Sequence, residues 1–279
     1  MWLTISVVAL FVSGMGLLLG WPHSRTKAEF VRLAADHVSS LALSESNEFT
    51  LEDIKELPAP VRAYFKYSGF LGQPKMAYMK ISFQDVDFVM SPQNKKLKMD
   101  YTQYNLASQP VRLAYIDAAM YGIPFEGLDT YIGGHGGMKG VLGKWISLFD
   151  QQGKEMDRAC LVTFLSESLI LPSAALQPYV VWESMDDPNQ AKATITYGGL
   201  SASGIFTFSE EGELLVFTTE DRALITTDGE QRHIPWSALF KDYRLINGIR
   251  LPTHLQAVWN QEQGDLIYFD SNHFMVSYH

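Results

Sequence analysis

The sequence predicts an α+β protein: short helices packed on a large curved antiparallel sheet, an incomplete β-barrel, behind an N-terminal transmembrane helix. Three observations predict it. Residues 1–21, MWLTISVVALFVSGMGLLLGW, hold no charged side chain. A stretch at helical spacing follows, and from about Met76 the pattern turns to strand-like alternation. That alternation returns after one further helix and fills the C-terminal part of the chain. The expected boundaries are an anchor at 1–22, an amphipathic helix with linker at 23–50, and a single domain at 51–279.

The first segment is long enough to cross a hydrocarbon core of ~30 Å, and Trp2 and Trp21 stand at its two ends, where interfacial aromatics belong. It has no basic leader and no small-x-small cleavage site, so an uncleaved anchor is expected rather than a signal peptide. Arg25, Lys27 and Arg32 all follow it, and by the positive-inside tendency they direct the domain towards the cytoplasm.

In KAEFVRLAADHVSSLAL, the residues Phe30, Leu33, Ala34, Val38 and Leu41 form one helical stripe, and SESNEF then reads as a linker. Thr50 is placed to cap a second helix, with Asp53 at the capping-box position. A third, in LPAPVRAYFKYSG, has Pro60 in its first turn and stops at Gly69. MAYMKISF and KLKMDY alternate as strands; VDFVM and the turn SPQNKK make a hairpin with the second, and VRLAYID adds another strand. EMDRACLVTFLSESLILP puts Met156, Cys160, Leu161, Phe164 and Leu165 on one helical stripe, with Glu167 close to it and Pro172 ending the element. Beyond it SEEGE and INGI signal hairpins. A sheet of about eight to ten strands results, and tight turns without intervening helices exclude the doubly wound α/β class.

With 47% hydrophobic and 13% aromatic residues the chain can build a substantial core. Its formal charge of -9 argues against nucleic acid as a partner, because that surface needs clustered Lys and Arg. One cysteine, Cys160, excludes an internal disulfide and any multi-cysteine zinc site.

TYIGGHGGMKG, residues 130–140, draws attention to itself with five glycines and a histidine. It fails the dinucleotide template, since Lys139 stands where the third glycine belongs, and the Walker template, since Met138 stands where the first does. His135 has no ligand partner at i+3 or i+4, so no metal and no cofactor are expected. GLSAS lacks the last glycine of a nucleophile elbow and lies between strands, so it reads as a hairpin loop. The abundant aromatics suit a sheet face, or an apolar cleft inside a curved sheet.

The runs GIPFEGLDTYIGGHGGMKG, GKEMDRACLVTFLSESLILPSAAL, FTFSEEGELLVFTTEDR and PTHLQAVWN, with their D-x-Y, glycine loop, L-x-E and Pro, resemble an uncharacterised bacterial domain-of-unknown-function family of membrane-anchored proteins over residues 55–279. No reaction comes with that resemblance. FTFSEEGEL followed by YRLINGIRLPTHLQAVW is similar to the late strands of the LolA/LppX-like lipoprotein-carrier half-barrels. That second resemblance implies a concavity for acyl chains and an extracytoplasmic domain, against the vote of the flanking charges. Those carriers are free to diffuse or lipidated on a cysteine, whereas this chain carries an apolar anchor and no cysteine near its start.

The expectation is therefore a membrane-anchored, non-enzymatic binding protein for a lipid, lipoprotein or other hydrophobic ligand. Its membrane partner is reached through residues 2–21, and its ligand-binding candidates are Asp129, Tyr131, His135, Glu167 and Arg222. Two alternatives stand beside it: a hydrolase built on Asp129, His135, Glu167 and Arg222, and a sensor or scaffold that binds another protein along a sheet edge.

Overall fold

The computed structural model describes residues 24–41, 47–89, 96–225 and 231–279. The expected membrane span at 2–21, the first half of the SESNEF linker and all but the last residue of the SPQNKK turn lie outside the described residues. Among those described, no helix is long and apolar enough to cross a membrane.

Helix α1 (Arg25–Ser39) starts at Ser24, whose hydroxyl accepts a hydrogen bond from the Lys27 N–H at 2.9 Å. It buries Thr26, Phe30 and Ala34, so the apolar stripe faces protein as its spacing predicts. Helix α2 (Leu51–Ile54) has the expected capping box between Thr50 and Asp53, although it runs for a single turn. Helix α3 (Ala59–Ser68) carries Pro60 in its first turn, buries Val61, Tyr64 and Phe65, and ends at Gly69 with φ 78°.

Six strands follow: β1 (Tyr78–Phe88), β2 (Leu97–Leu106), β3 (Val111–Met120), β4 (Ile123–Ile132), β5 (His135–Leu142) and β6 (Ile146–Gln152). Helix α4 (Lys154–Glu167) and the single-turn α5 (Pro172–Ala175) come next, so the expected long helix stops at Glu167, before Pro172. The remainder is β7 (Val180–Ser184), β8 (Gln190–Tyr197), β9 (Leu200–Phe208), β10 (Leu214–Thr219), β11 (Ala223–Ile225), β12 (Gln231–His233), β13 (Trp236–Lys241), β14 (Arg244–Ile246), β15 (Ile249–Leu251), β16 (His254–Trp259), β17 (Leu266–Ser271) and β18 (Phe274–Tyr278). SEEGE joins β9 to β10 and INGI joins β14 to β15, both as expected.

The main sheet has 14 strands in the order β6-β5-β4-β3-β2-β1-β17-β16-β13-β10-β9-β8-β7, with β18 also on β1. Every pairing in it is antiparallel. The sheet exceeds the eight to ten strands expected, in part because β4 and β5 use glycine where alternation should show side chains. A Cβ on Gly127 would meet the Ile116 side chain at 2.8 Å, one on Gly136 the Met156 carbonyl oxygen at 2.6 Å, and one on Gly140 the Phe149 ring at 2.5 Å. Glycine here makes room for neighbours, and in so doing erases the strand pattern from the sequence.

Strand β1 forms the corner. A bulge between Phe83 and Val86, with Asp85 at φ 53°, interrupts its ladder with β2. Opposite the bulge the last segment of the chain breaks in two: β18 pairs residues 79–83 of β1, and β17 pairs Asp87 and Phe88. One arm of the sheet, β2 to β6, leaves this corner in one direction and the other, β16 to β7, in the opposite one. The arms touch again at their turns. Glycines 134 and 198 lie so close that a Cβ on either would meet the other's Cα at 2.6 to 2.7 Å.

Two layers of apolar side chains result. The larger fills the concave side under α3, α4 and α5, with Tyr64, Phe65, Phe164, Phe206 and Phe217 fully buried. The smaller lies on the other face, where Phe30 and Ala34 of α1 meet Leu113, Tyr115 and Leu128.

Candidate functional site

Antiparallel register places directly opposed residues on one face, and three such rows cross the concave side of β2 to β5. They are Asn105, Arg112, Tyr131 and Gly136; Gln103, Ala114, Asp129 and Met138; and Tyr101, Ile116, Gly127 and Gly140. Arg112 is buried, and its guanidinium reaches the neighbouring rows past Ala114, the smallest side chain in its way. It donates to Asp129 Oδ2 at 2.6 Å, Glu167 Oε2 at 3.2 Å, the Tyr101 hydroxyl at 2.5 Å and Gln103 Oε1 at 3.1 Å. Glu167 comes from the last turn of α4, and the same Oε2 also accepts from Gln103 and Asn105 at 2.7 Å each. The cluster therefore sews α4 to β2, β3 and β4.

Its electrostatics follow from burial and pairing. Burial opposes the charge on Arg112, but Glu167, Tyr101 and Asp129 outweigh it and hold the guanidinium well above its ordinary pKa. Burial likewise pushes the Tyr101 phenol up, so it stays neutral. The Cys160 thiol, 3.7 Å from Asp129 Oδ1, is pushed up by burial and then by the Asp129 charge, against the opposing pull of Arg112 and Arg222. It is a buried thiol with little thiolate character.

Beside this cluster lies a cavity of ≈ 200 Å³ between the two arms of the sheet, roofed by α4. Met99 and Ile116 wall it from one arm and Phe240 and Leu255 from the other, with Phe83 of β1 and Phe269 of β17 at the corner between them. Its charged lining is Arg112, Asp129 and Glu167 on one side, with Tyr101 and Gln103 beside them, and Arg222 on another, and Thr163, Ser166, Gln256 and Tyr268 add neutral polar groups. Arg222 is delivered by the turn after β10, which Asp221 locks by accepting from the Ser203 N–H at 2.6 Å and the Ser203 hydroxyl at 3.0 Å.

Of the five candidates read from the sequence, Asp129, Glu167 and Arg222 line this cavity. Tyr131 does not: it is fully buried under α4, with its hydroxyl lacking a hydrogen-bond partner. Nor does His135, whose exposed ring lies 3.8 Å from Asp157. Asp157 also accepts the Gly136 N–H at 2.6 Å, so this part of the glycine loop is occupied in seating α4 on β5. The hydrolase grouping of Asp129, His135, Glu167 and Arg222 is thus split, with two carboxylates on Arg112 and the histidine outside. Among the described residues no cluster of His, Cys, Asp and Glu suits a metal ion.

Arg112, Tyr101, Gln103 and Asn105 went unread in the sequence. A signal existed for three of them. The phase that turns Leu97, Met99 and Tyr101 inward continues to Gln103 and Asn105, and inward polar groups on a buried face demand partners. Nothing comparable marks Arg112, because β3 is apolar on both faces.

Solved structures similar to this chain include a LolA superfamily protein from Nitrosomonas europaea, 9% identical, covering 78% of this chain and 91% of that one with a TM-score of 0.38. A DUF1329 family protein from Desulfovibrio piger is 10% identical, covering 83% and 92% with a TM-score of 0.35. The first carries the superfamily name of the second resemblance, but superpositions this loose carry no argument about a ligand. None of the curated proteins compared with the chain matches it. The model of DUF6544, a family of unknown function, matches residues 47–271, and the chain belongs to that family.

Proposed function

We propose that this protein is a membrane-anchored binding protein that holds an apolar ligand between the two arms of its sheet. The observation that carries the reading is the cavity walled by Phe83, Met99, Ile116, Phe240, Leu255 and Phe269, which a polar cluster borders without filling. Its ≈ 200 Å³ falls below the ~300–1,000 Å³ common for drug-sized ligands. A medium-length chain, or the end of a longer one, suits it better than a bulky ring system.

The anchored placement is supported at the other end of the chain. Ser24, where the described residues begin, is buried and donates to Glu126 at 2.6 Å, and Arg25 lies over the Trp145 ring at 5.4 Å. The β3–β4 and β5–β6 turns are neighbours there, joined by the Gly143 N–H to the Pro124 carbonyl at 2.7 Å. The turns present Tyr121, fully exposed, and Trp145, and the start of β6 adds Ile146 and Leu148, these last three each about half exposed. An aromatic and aliphatic rim beside the expected exit from the membrane is suited to the lipid interface.

The test uses the full-length chain purified from native membranes. Native mass spectrometry is expected to show a bound lipid-sized adduct, and an acyl fluorophore is expected to be displaced by unlabelled acyl chains. Absence of both an adduct and saturable acyl binding overturns the reading.

A further inference from the structure

Two arginines line the cavity, and they are satisfied very differently. Arg112 spends its donors on two carboxylates, a phenol and an amide. Among the described residues Arg222 has only neutral acceptors, the Thr163 hydroxyl and the Ala159 carbonyl at 3.4 Å, both on α4. Among the described residues no carboxylate pairs with it, and its Nε is buried without a hydrogen-bond partner. Its guanidinium lies 4.6 Å from the centre of the Trp236 ring and 5.7 Å from that of Trp259. Indole faces hold a cation in place without neutralising it, so the charge remains available. A partly buried guanidinium kept in this way is a site awaiting an acceptor, because an unmet donor out of water is unfavourable.

We infer that Arg222 receives the carboxylate of an acyl-chain acid whose hydrocarbon part lies along the apolar walls. The inference rests on the proposed binding of an apolar ligand and adds the chemistry of its head. Asp129 and Glu167, the two carboxylates that would repel such a head, are both bound by Arg112. Together the four charges in the lining sum to zero, with Arg112 and Arg222 against Asp129 and Glu167. The arriving acid meets a preset cation on one wall and an already satisfied cluster on another. A guanidinium also offers parallel donors that match a carboxylate's two oxygens, which a hydroxyl or an ester cannot reproduce.

The experiment compares an ω-brominated medium-chain fatty acid with the matching alcohol, read by quenching of tryptophan fluorescence in the full-length chain, since Trp236 lines the cavity. The acid is expected to bind about tenfold more tightly than the alcohol, as one charge-assisted contact implies. Arg222→Gln, with its fold checked by thermal melting, is expected to erase that preference, and Arg222→Lys to keep part of it. Equal binding of acid and alcohol by the unsubstituted chain overturns the carboxylate assignment and leaves the apolar-ligand reading standing. Binding of neither overturns both, and a preference that survives Arg222→Gln overturns the role of Arg222.

Discussion

Arg112 ties two carboxylates, a phenol and an amide into one buried cluster, and its contribution is best judged by removal. Arg112→Met leaves Asp129 and Glu167, each about one-fifth exposed, facing each other's charge without a cation. Breaking a buried pair from one side typically costs about 3–5 kcal/mol, and partial exposure of both carboxylates places this case at the lower end. Adding Asp129→Asn and Glu167→Gln to Arg112→Met removes the stranded charges and is expected to recover much of the loss. Denaturant unfolding of the unsubstituted protein, Arg112→Met, the Asp129→Asn/Glu167→Gln double variant and the triple variant checks this, and a triple variant as unstable as Arg112→Met contradicts it. The cluster was only partly legible beforehand. Asp129 and Glu167 stand out as polar residues beside glycines and an apolar stripe, whereas the arginine joining them lies in VRLAYID, which reads as an ordinary strand.

At the level of elements, the helices were readable and the glycine-rich strands were not. Thr50 with Asp53, Pro60 with Gly69, and the stripe through Phe164 each follow from local backbone chemistry, which a single sequence displays. Strands β4 and β5 depend on what lies across from them, and no local rule announces a neighbour. Gly136 is the clearest instance, since its missing Cβ admits the Met156 carbonyl and the Cys160 sulfur of α4. Gly136→Ala therefore pushes backbone against backbone. The expected loss is about 1–3 kcal/mol, seen as a lower Tm. Gly153→Ala is a poor control despite the open space around it, because Gly153 has φ 109°. Gly137→Ala is the better one, since its nearest neighbour is the Thr130 hydroxyl at 3.5 Å. A Gly136→Ala protein as stable as Gly137→Ala sinks the account.

For the whole molecule, the decisive arrangement is a sheet bent at β1 whose arms meet again at Gly134 and Gly198. Both glycines have positive φ, 90° and 58°, and each occupies the space where the other's side chain would stand. Alanine at either site is expected to destabilise by about 1–3 kcal/mol through overpacking together with left-handed backbone strain. The double variant should lose less than the sum, since one contact is broken twice. An additive pair, measured by thermal or denaturant unfolding, shows that the turns do not act together. None of this is visible in the sequence, where the glycine loop TYIGGHGGMKG and the hairpin loop at GLSAS read as unrelated. Their meeting also orders events in time. The two turns belong to opposite arms and are separated in the chain by all of α4, so their contact is expected to form late, after the hairpins that carry them. Gly198→Ala is then expected to leave the refolding rate nearly untouched and to quicken unfolding, which makes a two-glycine contact a determinant of how long the folded molecule lasts.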